Sequence, residues 1–288
     1  MDIKARQLLL TPKYEHWLSK CGGEFVLTIP QAKRFGDLLA DHLSRKGRVR
    51  SGSFSASSRG FCERAQVFGY IGMPQRVFGN SLRSLIFIDG KMKHLVWQYI
   101  GLEAGALTDI EVPIDADALD KWRLMGSMDG GDDFNGIGLE LKSTSAFGYY
   151  VANGPSLAHM LQIHSYLLGS SRYEVFSLIY LDTTTREWRE HVIRPDKRYM
   201  SMVKAELGRL NDAVVNRQLP EVQDGCKAGK SKAFRDCGYS HICLGCRSYD
   251  EAEAIASVVI QGVQGGGRNP QPGSNGKRVR RVRRRPPG

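Results

Sequence analysis

The sequence lacks any apolar run near the roughly 18 residues that a membrane-spanning helix requires. Its start, MDIKARQLLLTPKYEHWL, has neither the apolar core nor the small-residue cleavage site of a secretory signal. No membrane partner is therefore expected, and the location expected is cytoplasmic. Internal repeats are missing as well, which removes the repeat architectures. Acidic residues are absent from positions 264–288, which hold Arg268, Lys277, Arg278, Arg280, Arg281, Arg283, Arg284 and Arg285. The formal charge of the 288 residues is +11. Eight of those charges lie in the tail, leaving +3 for the first 263 residues. The tail is rich in Gly, Pro and Arg and has almost nothing to bury, so disorder is expected there. Arg278, Arg280, Arg281, Arg283, Arg284 and Arg285 can track a phosphate backbone by counterion release. The stretch has no interleaved aromatics, so affinity without sequence preference is expected.

Six cysteines are present, and four of them, Cys226, Cys237, Cys243 and Cys246, fall within 21 residues. Disulfides rarely persist in a reducing compartment, whereas thiolate clusters for metals do. A metal-binding segment over residues 221–247 is therefore expected, and Cys21 reads as an ordinary free thiol. Hydrophobic residues make up 41% and charged residues 25% of the chain, so the totals fit a globular protein of one or two domains.

Residues 30–105 read as mostly helical. QAKRFGDLLADHLSRKG is amphipathic, Ser57 and Ser58 suggest a capped start before RGFCERAQVFGYIG, and a third helix covers GKMKHLVWQYIGLEAG. Three strands are then predicted in LTDIEVPIDA, KWRLMGSMDGGDD and GIGLELKSTS. Gly-Pro-Ser introduces a helix in SLAHMLQIHSYLLG, strands follow in VFSLIYLD and WREHVIRP, and RYMSMVKAELGRLNDAVVNRQL closes the core as a helix. The order predicts an α/β fold, a mixed central sheet flanked by helices. Three parts are expected: a helical segment over 1–54, a catalytic domain over 55–250 containing the cysteine segment, and the basic tail over 264–288.

Chemistry concentrates in GSMDGGDDFNGIGLELKS. Glu140 and Lys142 are two apart on a predicted strand and share a face, and the turn after Asp129 can return it to Glu140. Two converging carboxylates repel unless a cation lies between them, and hard oxygen ligands suit Mg²⁺ or Mn²⁺. Lys142 can stabilise charge on a phosphate or help to position and deprotonate a water. Gln162 and Tyr166 are four apart on a helix and can reach the same place. His94, on the helix before the sheet, can complete a ligand shell.

His94, Asp129 in GSMDG, Glu140-Leu141-Lys142 and Gln162-Ile163-His164-Ser165-Tyr166 together resemble the PD-(D/E)XK nucleases, specifically the RecB-like branch with its Gln-x-x-x-Tyr motif. With cysteines on both sides of this set, the chain is similar to the iron–sulfur exonucleases of CRISPR adaptation modules and phages. The resemblance implies a PD-(D/E)XK core and a Mg²⁺- or Mn²⁺-dependent exonuclease acting on DNA ends. His94, Asp129, Glu140 and the main-chain carbonyl of Leu141 would hold the ion. Lys142 would assist the attacking water, while Gln162 and Tyr166 would position DNA or steady the lysine. His159 and His164 are left as structural or DNA-proximal. It also implies a [4Fe–4S] cluster with one cysteine before the core and three after it. Cys62, Cys237 and Cys243 match, and Cys246 is taken as the fourth ligand with Cys226 as its alternative. The family's usual cysteine three residues before Cys237 is replaced here by Phe234. Structural Zn²⁺ is the competing cofactor. A binding or end-trimming subunit of a CRISPR adaptation or recombination complex is the alternative role.

Overall fold

The computed structural model describes residues 8–21, 26–44, 51–76 and 81–265. The chain runs through α1 (Thr11–Lys20), α2 (Ile29–Ser44), β1 (Phe54–Ser55), α3 (Glu63–Ile71) and α4 (Ser81–Glu103) before the sheet. Then come β2 (Asp109–Pro113), α5 (Ala116–Trp122), β3 (Leu124–Met125), β4 (Ser127–Asp132), β5 (Ile137–Thr144), α6 (Phe147–Asn153), α7 (Leu157–Gly169), β6 (Val175–Asp182) and β7 (Trp188–Ile193). The rest is helical: α8 (Lys197–Val215), α9 (Asp224–Lys227), α10 (Lys232–Asp236), α11 (Ser240–Cys243) and α12 (Tyr249–Gly265). The expected mixed α/β architecture with helices on both faces is present. Arg278, Arg280, Arg281, Arg283, Arg284 and Arg285 lie outside the described residues.

The main sheet has the order β2-β4-β5-β6-β7, with β5 and β6 parallel and the other pairs antiparallel. Strand alternation sends side chains of β5 and β6 to two separate cores. Leu139, Leu141, Ile179 and Leu181 face α1 and α4, packing with Leu10, Tyr14 and Ile100. Phe176, Leu178 and Tyr180 face the α7 and α8 side, with Ile163, Tyr166, Val203 and Leu207. β6, VFSLIYLD, is apolar on both faces because both are covered. Glu140 and Lys142 are the polar exceptions on the α7 face.

The helix caps follow from sequence. Ser156 accepts from the His159 amide at 3.3 Å to begin α7, and Asp196 accepts from Arg198 and Tyr199 to begin α8. α1 is anchored by one carboxylate: Glu190 on edge strand β7 accepts from the amides of Leu9, Leu10 and Thr11 at 3.1 Å, from Thr11 Oγ1 at 2.6 Å and from Ser177 Oγ at 2.7 Å. A negative charge among the first amides of a helix satisfies donors that have no partner within it. At Gly131 a Cβ would lie 2.1 Å from Tyr173 Oη, so only glycine lets that ring close over β4.

Three expectations are corrected. Ser57 and Ser58 do not begin a long helix: residues 56–58 form one 3₁₀ turn, and Gly60, at φ +76°, breaks the path before α3. Cys62 is consequently the N-cap residue of α3 and not a residue within a helix. The segment between the first two predicted strands contains helix α5, and KWRLMGSMDGGDD divides into β3, paired with β1, and β4. A third core gathers α3 with the C-terminal helices, around Phe68, Met73, Tyr239, Cys243, Cys246, Ala252 and Ala256.

Candidate active site

The β4–β5 ladder ends at the Gly130–Leu139 pair, beyond which the two strands part. Asp129 fills the gap, its Oδ2 accepting from the Leu141 amide at 2.6 Å. In an extended strand the N–H and C=O of one residue point to the same side, so the Leu141 carbonyl faces this gap too. From α4, His94 Nδ1 lies 3.3 Å from Asp129 Oδ1. On the α7 side, Lys142 Nζ donates to Glu140 Oε1 at 2.6 Å and to Gln162 Oε1 at 2.9 Å. The Gln162 amide nitrogen donates to Glu140 Oε1 at 2.7 Å and to Tyr166 Oη at 2.8 Å, and Tyr166 donates to the Ser127 carbonyl at 3.0 Å. Gln162 thus steers both Lys142 and Glu140, and Tyr166 fixes Gln162 to the end of β4.

Charge follows this geometry. Burial, then the negative charge of Asp129, pushes Glu140 up to about 7 against the pull of Lys142 and His94. Burial acts the same way on Asp129, but the bond and charge of His94, with the Leu141 amide and Lys142, hold it below the usual carboxylate range. Burial disfavours the charged forms of His94 and Lys142, yet Asp129 raises the former and Glu140 the latter above their ordinary values. Burial and the Glu140 charge keep the Tyr166 phenol protonated.

The donor set fits a divalent cation: two carboxylates, one of which cannot easily ionise beside the other, an imidazole and a main-chain carbonyl. Among the described residues no three His, Cys, Asp or Glu side chains form a ready ligand shell. Glu140 is turned to Lys142 and Gln162, so it must exchange those partners to serve an ion with Asp129.

Two contributors were not singled out from sequence. Gln98 Nε2 bridges Glu111 Oε1 at 2.9 Å and the Asp129 carbonyl at 2.8 Å. Glu111 sits between the β2–β4 pairs on either side of Asp129, with φ at +51°, a costly conformation for a side chain of its size. Gln98 follows His94 by four residues, so helical spacing was a usable signal. The Glu111 backbone has no such signal.

Cys21 lies apart at the end of α1, and the other five cysteines lie at the start of α3 or in the C-terminal segment. Burial raises the Cys62 thiol, and Cys237 and Cys226 add to the rise. Cys243 is raised by burial, opposed by Arg64, with Cys62 and Cys237 adding again. Cys246 is raised by burial and by Glu251, and its Sγ donates to the Ser248 carbonyl at 3.5 Å. Cys226 is therefore grouped with Cys62 and Cys237, while no thiol contributes to the rise at Cys246. Arg64, in the first turn of α3, donates to the carbonyls of Pro220 at 2.7 Å, of Cys243 at 3.2 Å and of Cys246, joining α3 to the cysteine segment.

No family model and no curated protein matches the chain. Among solved structures it is similar to an alkaline exonuclease, LHK-Exo, from Laribacter hongkongensis, at 13% identity and TM-score 0.43, over 58% of this chain and 90% of that one. The same enzyme in complex with dAMP gives 13% identity, TM-score 0.42 and the same coverage. The crystal structure of SSO0001 aligns at 15% identity and TM-score 0.42, over 75% of this chain and 96% of that one. At such values the chemistry of the site rests on the side chains themselves.

Proposed function

We propose that the chain is a Mg²⁺- or Mn²⁺-dependent deoxyribonuclease of the PD-(D/E)XK type that hydrolyses phosphodiester bonds at DNA ends. One observation carries this reading: Asp129, Glu140, Lys142 and Gln162, from three different elements, meet with His94 where β4 and β5 separate. His94, Asp129, Glu140 and the Leu141 carbonyl would hold the ion, which supplies positive charge for phosphate oxygens and acidifies water. Lys142 would then donate to the attacking water or to the phosphate and stabilise the charge that builds there. Gln162 holds the lysine at this position, and Tyr166 holds Gln162.

The second part of the proposal is a cysteine-bound [4Fe–4S] cluster that staples α3 to the C-terminal segment. Cys62, Cys226, Cys237 and Cys243 are its ligands, and Cys246 is a buried thiol. Four thiolates suit a [4Fe–4S] core, and structural Zn²⁺ is the competing occupant of the same ligands. The nuclease unit spans residues 55–250, and the basic tail adds phosphate affinity.

End-labelled single- and double-stranded DNA incubated with Mg²⁺ or Mn²⁺ tests the catalytic part. Ladders from one end should appear and should vanish with chelator, with Glu140→Ala and with Lys142→Ala. Undiminished cleavage by Glu140→Ala refutes the site. Inactivity of the isolated wild-type protein, relieved only by partner proteins, favours the end-trimming subunit of a CRISPR adaptation or recombination complex. Anaerobically purified protein should be brown and should lose its colour with Cys226→Ser but not with Cys246→Ser; a colourless protein with stoichiometric zinc rules the cluster out.

A further inference from the structure

Helix α6 follows catalytic strand β5 directly, and its aromatic residues have no part in the hydrolytic site described above. Lys142 and Tyr180 are register partners on parallel strands β5 and β6, so their side chains share the face covered by α7. The Tyr150 ring stacks on Tyr180 with centroids 4.3 Å apart and planes 9° from parallel. Tyr149 meets Tyr150 edge-on at 5.4 Å and is 62% exposed. His159 braces the row from α7, its Nδ1 lying 2.6 Å from Tyr180 Oη and its ring 5.5 Å from Tyr150. A row of rings therefore leads from the buried strand beside Lys142 to solvent.

Core packing accounts for Tyr180 and for the covered part of Tyr150, but not for an exposed tyrosine continuing the row. Every nucleobase presents a π-face, and stacking on aromatic side chains is the sequence-tolerant way to hold an unpaired base. Paired bases in a duplex interior are already stacked and gain little from such a platform. We propose that Tyr149 and Tyr150, braced by Tyr180 and His159, form a stacking subsite for an unpaired nucleobase of a single-stranded DNA end held beside Lys142. The inference rests on the nuclease reading and adds to it the side chains that hold a base of the bound strand.

The test is equilibrium binding by fluorescence anisotropy in Ca²⁺, with labelled oligothymidylate and with the same oligonucleotide carrying abasic sugars at its two terminal positions. Stacking is worth about 1–3 kcal/mol per base, and a partly exposed ring belongs at the lower end. Tyr149→Ala should weaken binding of the base-bearing oligonucleotide about five- to tenfold, leave the abasic one unchanged, and be rescued by Tyr149→Trp. Tyr149 is exposed, so its truncation leaves the fold intact; Tyr150→Leu serves as a second variant, with its circular dichroism spectrum recorded alongside. Equal losses on both oligonucleotides, or none on either, overturn the subsite while leaving the nuclease reading standing. Failure of the wild-type protein to bind any oligonucleotide overturns both.

Discussion

Replacing Glu140 by Gln should abolish hydrolysis and, with chelator present, stabilise the protein above neutral pH. The Glu140 side chain is buried and bonded to Lys142 and Gln162, and burial followed by the negative charge of Asp129 pushes it up to about 7. A carboxyl whose folded pKa lies above its unfolded value of 4.5 contributes stability that is fully present below about 4.5 and is lost as pH rises through 7. The difference corresponds to roughly 3 kcal/mol as an upper bound at pH 8. Lys142 and Gln162 both bond Glu140 Oε1 and already offset part of the cost of its charge. A glutamine side chain at this position imitates the protonated acid at every pH. Thermal melts in EDTA at pH 5 and pH 8 read the effect. Wild-type protein should lose several degrees on this rise in pH, at about 2–4 °C per kcal/mol for a domain of this size. Glu140→Gln should flatten that slope, and Mn²⁺ should restore the wild-type protein at pH 8 but not the variant. A Glu140→Gln protein that is less stable than wild type at pH 8 in EDTA would refute the account of two carboxylates awaiting a cation.

Gln98→Leu removes the bridge between Glu111 and the Asp129 carbonyl, leaving part-buried acceptors without this donor at a cost of about 1 kcal/mol; denaturant melts should show the loss, and kcat should fall with KM little changed. Glu190→Ala leaves four donors at the start of α1, and the Ser177 hydroxyl on β6, without their acceptor, so limited proteolysis should cut near residues 8–21 while the sheet stays protected. Gly131→Ala drives a methyl into Tyr173 and should cost about 1–3 kcal/mol, with Tyr173→Phe relieving only part of it because the ring carbons are also within 2.6 Å of that Cβ. Deleting residues 266–288 should flatten the salt dependence of DNA binding, measured as the slope of log Kd against log salt, without changing sequence preference.

The parts of the fold that could be read from sequence were those where one periodicity governed a whole element. IGLELKST alternates, so Glu140 and Lys142 declared a common face; LAHMLQIHSYLLG has helical spacing after a Ser cap, which placed Gln162 and Tyr166 together. Short elements were harder. α5, ADALDKW, and α6, FGYYVAN, each have seven residues, and the aromatic run of α6 suits a strand equally well. α6 is helical because Phe147 packs into the core and Gly154, at φ +76°, ends the turn after Asn153. The places of Cys226, Cys237 and Cys243 depend on how α9–α11 fold against Arg64 and Tyr239, which spacing does not encode. The Glu111 backbone was invisible because a left-handed glutamate is held by its surroundings and not by its own preference.

The anchoring of α1 by Glu190 has a consequence for synthesis. The helix leaves the ribosome early, yet its acceptor lies about 180 residues downstream. Arg64 likewise waits for the carbonyls of Cys243 and Cys246. The local β4–β5 hairpin can close as it emerges, but α1 and α3 must stay undocked, with apolar faces uncovered, until most of the chain has been made. Translation pauses or truncations before residue 190 should therefore yield chaperone-dependent, aggregation-prone intermediates, and the nascent N-terminal region is where holdase binding should be found.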